Sequence, residues 1–497
     1  LYIMSASSAT ESPEARELSL VSKVELRIAL ADTDEKLQRL LQTYLAPLLL
    51  KLASDSLAVR NKVISVCQHI NTRIKPQSIQ LPVPALLKQF KEQSSQLIRH
   101  FDLIYIQKGL DRLDASVRAE LLPTALEGVA KLDASSPQAA VMFNLILRLL
   151  PLLKLPPKGS PEDASLKEKL NLSDDDTRFL AFWLGKLLLL SPAAPNTEHA
   201  PGLSKSEYKF LNKSSSFAEV WDASKEGGLN LTETKVAAAK FLASGAFTNF
   251  ERFIPAVIAS ADPNSRISNI GDEMLKRFSP ALDDAEVVDK LYRLYLGTEG
   301  QDLTLPVHTP LRIKILGYLG KSVKATTYTD RILRVLDDGL FSDMGPAAQG
   351  LQASKLRAQI FTFLTWVVRV GAAPDLRAIA PRAVEGLREF ISSQGWPDPS
   401  LTGQKLSHSD VTLRGSAYEA IGILAPKVPN EDGSDSGTLD MDVVRWLFTS
   451  LASDGSGPEI HVSIEQALGS VLNACSGNTT EDAQAELDSL LRKHMMN

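Results

Sequence analysis

The feature that most constrains the fold is a pair of amphipathic helix patterns that recurs along the chain. Apolar residues three and four apart predict one helix over 37–52, and a second such stripe predicts another over 59–74. A short polar stretch, 54–56, separates the two. The same arrangement returns around the turns 261–265 and 453–457, with no convincing strand alternation between the helical patterns. The sequence therefore predicts a series of helical hairpins.

A single hairpin of this kind cannot bury the apolar faces of both its helices, so neighbouring hairpins must stack. Their spacing, about 35 to 45 residues, is close to that of HEAT-type units. Because one core stops growing beyond about 250 to 300 residues, a chain of 497 residues needs several domains or such an array. We expect an all-α fold, a HEAT-repeat α-solenoid in which antiparallel helical hairpins stack into a superhelix. A pair of compact helical domains is the alternative.

Details of the first hairpin favour HEAT-type units over tetratricopeptide or ankyrin units. Pro47 falls inside the first helix, where it removes one backbone hydrogen bond and kinks the axis, as is common in HEAT first helices. Asp55, Val59 and Arg60 resemble the Asp and Val-Arg positions of a HEAT unit, although the Asp-to-Val spacing is one residue short. These residues are predicted to be structural.

Equivalent positions are predicted in later hairpins. Asp262 is expected to cap a helix whose first position is Pro263. Arg266 and Arg414 are placed to play the part of the Arg in the first hairpin. We expect the Asp of a hairpin turn to cap the next helix or to bind an Arg of the adjoining repeat. Arg side chains that are merely solvated are the alternative.

Loops rich in Pro, Gly, Ser and charge interrupt the array at 156–176, 192–216, 392–410 and 426–440. They are candidate contact or regulatory segments, and unselected surface is the simpler interpretation. The expected organisation is a flexible amino-terminal segment 1–20, amino-terminal HEAT repeats 21–155, a helix-containing, loop-rich insertion 156–216, central HEAT repeats 217–391, a loop 392–410 and carboxyl-terminal HEAT repeats 411–497.

Composition narrows the range of partners. Lys and Arg number 54 against 59 Asp and Glu, a formal net charge of -5, so no basic field is expected to hold a nucleic acid. The longest apolar stretch, 179–190, is too short to cross a bilayer, so no membrane insertion is expected. No secretory signal is recognisable at 1–10. Only two cysteines, Cys67 and Cys475, occur, which fits a reducing intracellular compartment.

Motifs that would carry catalysis are incomplete. The histidines lack paired metal-ligand spacing, Gly320-Lys321-Ser322 lacks the first glycine of a phosphate loop, and the loop 433–437 has Asp where a nucleophile elbow needs Ser. Asp174-Asp175-Asp176 could bind a divalent ion, but carboxylates at a helix start also stabilise the helix dipole, and we favour capping. We expect no enzyme activity, metal, cofactor or small-molecule substrate. An enzyme with an unrecognised site is the competing hypothesis.

Several stretches resemble the family of large proteasome-associated HEAT-repeat adaptors called extracellular mutant protein 29. The similar stretches are 24–37, 48–52, 59–60, 70–75, 79–83, 240–245, 252–256, 258–262, 264–266 and, more weakly, 417–422. The resemblance implies the amino-terminal portion of a much longer scaffold that binds the 26S proteasome. It also implies contact with both the regulatory and the core particle, help in holding or checking their association, and a cytoplasmic and nuclear location.

The family has no catalytic residues to transfer to this sequence, and no short motif defines its proteasome contact. A HEAT-repeat transport receptor or a phosphatase-type scaffold, with a different protein partner, is the alternative. Protein-binding residues are therefore not predicted.

Overall fold

The computed structural model describes residues 12–132, 134–191, 200–212, 220–225, 227–276, 281–341, 351–394, 396, 408–429, 440–474 and 481–495. Every regular element in these ranges is helical. Extended backbone pairs within them only at an isolated bridge between Thr298 and Thr304.

The chain divides into two compact units, of which the first contains Leu1–Glu198 and Lys205–Pro255. Its helices are α1 Pro13–Ala29, α2 Asp34–Leu50, α3 Leu57–Arg73, α4 Val83–Glu92, α5 Gln96–Leu110, α6 Ala115–Leu126, α7 Pro137–Leu149, α8 Pro161–Ala164, α9 Leu166–Lys169, α10 Asp174–Leu189, α11 Lys205–Leu211 and α12 Leu231–Leu242. In this unit α1 packs on α2 and α3, α4 on α5 and α6, and α7 on α5 and α6.

The second unit contains His199–Ser204 and Ala256–Asn497. The division falls within α13 Asn249–Ser260, and the helices after it are α14 Ser265–Lys276, α15 Ala285–Leu296, α16 Thr309–Leu319, α17 Thr329–Leu336, α18 Leu351–Val370, α19 Ala373–Ser393, α20 His408–Leu424, α21 Met441–Ser453, α22 Pro458–Ala474 and α23 Glu481–Met495.

Helices of the second unit pack in two layers. In one layer α16 lies on α18, α18 on α20 and α20 on α22; in the other α15 lies on α17, α17 on α19 and α21 on α23. Six pairs of helices two positions apart along the chain therefore pack on each other, the arrangement in which stacked hairpins share one continuous core. The predicted all-α solenoid class is confirmed.

The first predicted hairpin shows why these segments are helical and where they bury. Its first helix, α2, buries Leu37, Leu41, Leu45, Leu48 and Leu49, a spacing that puts them on one side of the helix. The neighbouring Leu50 is 39% exposed. Pro47 lies inside α2, as predicted, and prolines also lie inside α6, α13 and α19.

The amino-terminal boundary differs from the prediction. Helix α1 begins at Pro13, and the Oγ of Ser12 accepts a hydrogen bond of 3.2 Å from the backbone N–H of Ala15. Residues 13–20 of the segment predicted to be flexible are therefore helical. The Ser-Pro pair is a helix-start signal, with Ser as the cap and Pro at the first position, where a missing N–H costs nothing.

The other predicted boundaries rest on loop composition and stay predictions. Within the predicted loop 192–216, residues 205–211 form α11, and 192–199 and 213–216 lie outside the described residues. Residues 397–407, most of 426–440, and Cys475 also lie outside the described residues.

Candidate functional site

Charged side chains join helices that lie one repeat apart. Arg331 binds Asp289 with 2.5 Å between Nη2 and Oδ1, and Arg382 binds Asp337 at 2.9 Å. The sequence separations are 42 and 45 residues, which match the period predicted from the hairpin pattern. These pairs link α15 to α17, and the segment after α17 to α19, so both tie together the layer that contains α15, α17 and α19.

Arg414 and Asp454 form an ion pair in which both side chains are 0% exposed. Nε donates to Oδ2 at 2.9 Å and Nη2 to Oδ1 at 3.1 Å, the bidentate geometry that planar guanidinium and carboxylate groups favour. The guanidinium also donates to the Oγ of Ser456 at 2.6 Å and to the Oε1 of Gln394 at 3.1 Å. Its carbon lies 5.2 Å from the centre of the Trp396 ring.

Asp454 follows α21 directly, in the turn before α22, whereas Arg414 lies on α20. One of the two expected roles of a turn Asp, to bind an Arg of the adjoining repeat, is thus present at Arg414. Sequence reasoning named the Arg and not its partner. The available signal was an Asp in the 453–457 turn, about one repeat further along.

The first hairpin uses its polar turn differently. Nη1 of Arg60 donates to the backbone carbonyls of Ser54 at 2.6 Å and Asp55 at 3.1 Å, so this Arg binds its own turn. Ser56 caps α3, because its Oγ accepts from the N–H of Val59 at 3.4 Å. Of the two roles expected for a turn Asp, Asp55 does not take the capping one, since it is exposed and lies one residue before the capping position. Val59 is fully buried in the core.

The predicted start of α14 also needs correction. The helix begins at Ser265, and the Oδ1 of Asn264 accepts from the N–H of Arg266 at 2.9 Å. Asp262 instead accepts from the N–H of Asn264 at 2.8 Å, an Asx turn, so Pro263 is not the first helical residue. Asn264 displaces Asp262 because it lies next to the helix. Arg266 is exposed, unlike Arg414, which is buried in its ion pair with Asp454.

The three aspartates at the start of α10 are held by protein groups. Ser173 and Asp176 form a reciprocal capping box, which confirms the capping interpretation. The other two carboxylates bind basic side chains, Asp174 with Lys167 and Asp175 with Arg178. Within the described part of the chain, no group of three or more His, Cys, Asp or Glu side chains could hold a metal ion.

Asp176 also reaches the preceding repeat, a contact that the sequence did not suggest. Its carboxylate accepts from the backbone N–H groups of Gly128 at 3.1 Å and Ala130 at 2.9 Å. Burial acts to raise the pKa of Asp176, but these bonds and those from Ser173 outweigh it and keep the pKa below its usual value. Gly128 has a φ of 68°, which glycine adopts without strain. The carboxylate therefore fixes the turn between α6 and α7.

The described helices include none that combines the length and the apolarity needed to span a bilayer.

Comparison with known proteins gives a consistent result. The family described as "Proteasome component ECM29, N-terminal" matches residues 21–497. The chain is 29% identical over 523 residues to the Saccharomyces cerevisiae protein named "Proteasome component ECM29", an alignment that covers 97% of this chain and 26% of that protein. It is 28% identical over 522 residues to the human "Proteasome adapter and scaffold protein ECM29", with 97% of this chain and 26% of that protein covered.

A third relative is the Drosophila melanogaster "Proteasome-associated protein ECM29 homolog", 28% identical over 484 residues, with 94% of this chain and 23% of that protein covered. The chain thus spans about a quarter of the length of these relatives. Since the family match takes in residues 21–497, and the resemblance seen in the sequence points the same way, the chain belongs to the family of amino-terminal regions of proteasome component ECM29.

Proposed function

We propose that this chain is the amino-terminal part of a non-catalytic scaffold that binds the 26S proteasome. In this proposal it contacts the regulatory and the core particle and helps to tether them or to check their association, in the cytoplasm and the nucleus. The observation that carries the proposal is the family match over residues 21–497. The name of the human relative, an adapter and scaffold protein, supports the same role.

The fold supports a binding role, because a solenoid exposes one side of every repeat and offers many small contacts to a large partner. The proposal includes no enzyme activity, cofactor or small-molecule substrate. In its support, the Asp174 to Asp176 cluster is already engaged in capping and ion pairs. It also includes no nucleic acid, which a net charge of -5 supports.

Affinity purification tests the proposal. The whole protein that contains this chain is tagged in cells, isolated gently with ATP present, and its partners are quantified by mass spectrometry. We expect subunits of both proteasome particles, with crosslinks to residues of this chain. Isolation without proteasome subunits would contradict the proposal. Crosslinks to a phosphatase or to transport cargo would instead support the alternative HEAT-repeat scaffolds.

A further inference from the structure

A groove of about 510 Å³ lies in the first unit, beside the turn that joins α6 to α7. Helix α4 forms one side of the groove, the turn 127–132 forms the other, and Arg99 of α5 also lines it. The buried side chains of Phe90, Ala125 and Met142 lie among its lining residues and give it an apolar base. The volume falls within the range of about 300 to 1,000 Å³ in which proteins bind small ligands or a few residues of a peptide.

Two lysines in the groove wall, Lys91 and Lys131, form no direct ion pair with a carboxylate of the described residues. Burial lowers the pKa of Lys91, and the carboxylates of Glu127 and Asp176 oppose that effect, while the charge of Lys131 lowers the pKa further. The Nζ of Lys91 donates to the backbone carbonyl of Glu127, a neutral acceptor. The two ammonium groups are thus close enough to repel each other across the wall. A negative charge placed between them would stabilise both.

Lys131 and Arg99 have capacity to bind such a charge. Lys131 is exposed and, among the residues that the structure describes, forms no ion pair with a carboxylate, although it lines a neighbouring hollow with Asp175 and Asp176. Nε of Arg99 donates to the carbonyl of Phe90 at 3.2 Å, and the guanidinium lies 5.6 Å from the Phe90 ring centre, which holds it against the apolar base. Its terminal nitrogens have no hydrogen-bond partner in the described ranges.

The carboxylates that line the groove already have partners outside it or on its rim. Glu92 pairs with the exposed Lys88 at 3.8 Å, and Glu127 accepts from Asn171 at 3.5 Å. Four cationic side chains and two carboxylates line the groove, and the Asp176 carboxylate also acts on Lys91, so positive charge is in excess by one on a chain whose net charge is -5. This local excess is complementary to an anion, and the apolar base is complementary to a hydrocarbon side chain.

We propose that this groove binds a short acidic peptide segment of a protein partner, with its carboxylates at Lys91, Lys131 and Arg99 and an apolar side chain over Phe90. A nucleic acid is the poorer match, because tight phosphate-backbone binding uses about 6 to 10 cationic contacts and this groove offers four at most. The inference goes beyond proteasome association and does not depend on it.

Fluorescence anisotropy with the 497-residue chain tests the proposal. The probe is a fluorescein-labelled peptide Glu-Leu-Glu-Glu-Leu-Glu, and the matched probe has Gln in place of every Glu. We expect the acidic peptide to bind about tenfold more tightly than the neutral one, and to lose affinity as salt is raised. Equal affinity for the two peptides, or no binding of the acidic one, would overturn the proposal.

Variants then locate the site. Lys131→Glu should weaken binding of the acidic peptide by about tenfold, because it reverses a charge in the groove wall. Lys240→Glu is the matched control, an exposed lysine of α12 without an ion pair in the described residues, and should leave binding unchanged. Lys91→Met tests the half-buried lysine. If Lys91→Met fails to fold, the test depends on the exposed Lys131 alone. Unaltered affinity of Lys131→Glu for the acidic peptide would then overturn the proposal that the peptide binds in this groove.

A labelled single-stranded oligonucleotide completes the design. We expect the oligonucleotide to bind more weakly than the acidic peptide at every salt concentration. Tighter binding of the oligonucleotide than of the peptide would contradict the assignment.

Discussion

A charge buried among helices is stable only when its partner is in place, and Arg414 depends on Asp454 in this way. Both side chains are 0% exposed. We expect Asp454→Ala to lower the free energy of unfolding by about 3 to 5 kcal/mol, because it leaves a guanidinium in the interior without its carboxylate.

Urea unfolding followed by helix circular dichroism measures the loss. Asp442→Ala is the matched control, since it breaks an ion pair with Arg445 whose side chains are 73% and 50% exposed, and it should cost less than about 1 kcal/mol. Similar losses in the two variants would show that burial of the pair does not matter.

Asp102 of α5 should make stability depend on pH. The residue is fully buried; its Oδ1 accepts from the Nε2 of Gln89 at 3.0 Å, while its Oδ2 has no hydrogen-bond partner among the residues that the structure describes. Burial raises the pKa of Asp102 to about 7, from an ordinary value of 3.8. Between these two values the unfolded chain has released the proton that the folded chain keeps. The stability that Asp102 contributes is therefore complete at low pH and is lost as the pH rises to about 7.

Asp102→Asn keeps the shape of the side chain and removes its titration. We expect the variant to gain stability relative to the parent protein as the pH is raised from about 5 to 7.5. Urea midpoints of both proteins across this range give the difference. A difference that does not change with pH would rule out a titrating Asp102.

At the scale of helices, α20 and α22 approach each other closely at Gly422, whereas Gly469 lies in open space. A Cβ at Gly422 of α20 would lie 2.5 Å from the Cα of Ala467 on α22, whereas a Cβ at Gly469 of α22 would meet nothing within 4 Å. Gly422→Ala should therefore destabilise by about 1 to 3 kcal/mol through overpacking. Gly469→Ala should stabilise by about 0.5 to 1 kcal/mol, because alanine restricts the unfolded chain. Thermal unfolding of both variants checks the opposite signs, and the same sign in both would contradict this packing.

Local periodicity predicted α2, α3, α21 and α22 well, because the apolar stripe that a helix buries is written within its own segment. The start of α1 was missed although Ser12-Pro13 is a local signal. The partners of Arg414 and Asp176 could not be predicted in this way, since they are about one repeat distant and depend on how helices stack. The groove at Lys91 could not be predicted from local periodicity either, because its lining residues come from four different helices and a turn.

At the scale of the whole molecule, a partner bound along many repeats should tolerate single surface changes and not the loss of a repeat. Leu49 is fully buried in α2 and Leu50 is 39% exposed, so they form a matched pair. Leu49→Asp should cost several kcal/mol, because it buries an unpaired carboxylate, and should reduce recovery of proteasome subunits with the full protein.

Leu50→Asp places the same charge on the surface and should alter neither stability nor recovery measurably. Circular dichroism and quantitative mass spectrometry of the purified proteins give the two results. Unchanged helical content, melting and recovery in Leu49→Asp would contradict a stacked core at this position.

The buried ion pair between Arg414 and Asp454 also bears on the register of the stack. Leucines along an apolar stripe can replace one another, so two helices could slide by one turn, about 5.4 Å, at modest cost. Fixed charges cannot be exchanged in this way. After such a slip both would remain in the interior, each facing hydrocarbon, at a cost of several kcal/mol. One alignment of α20 against the following hairpin is therefore strongly favoured over its shifted neighbours.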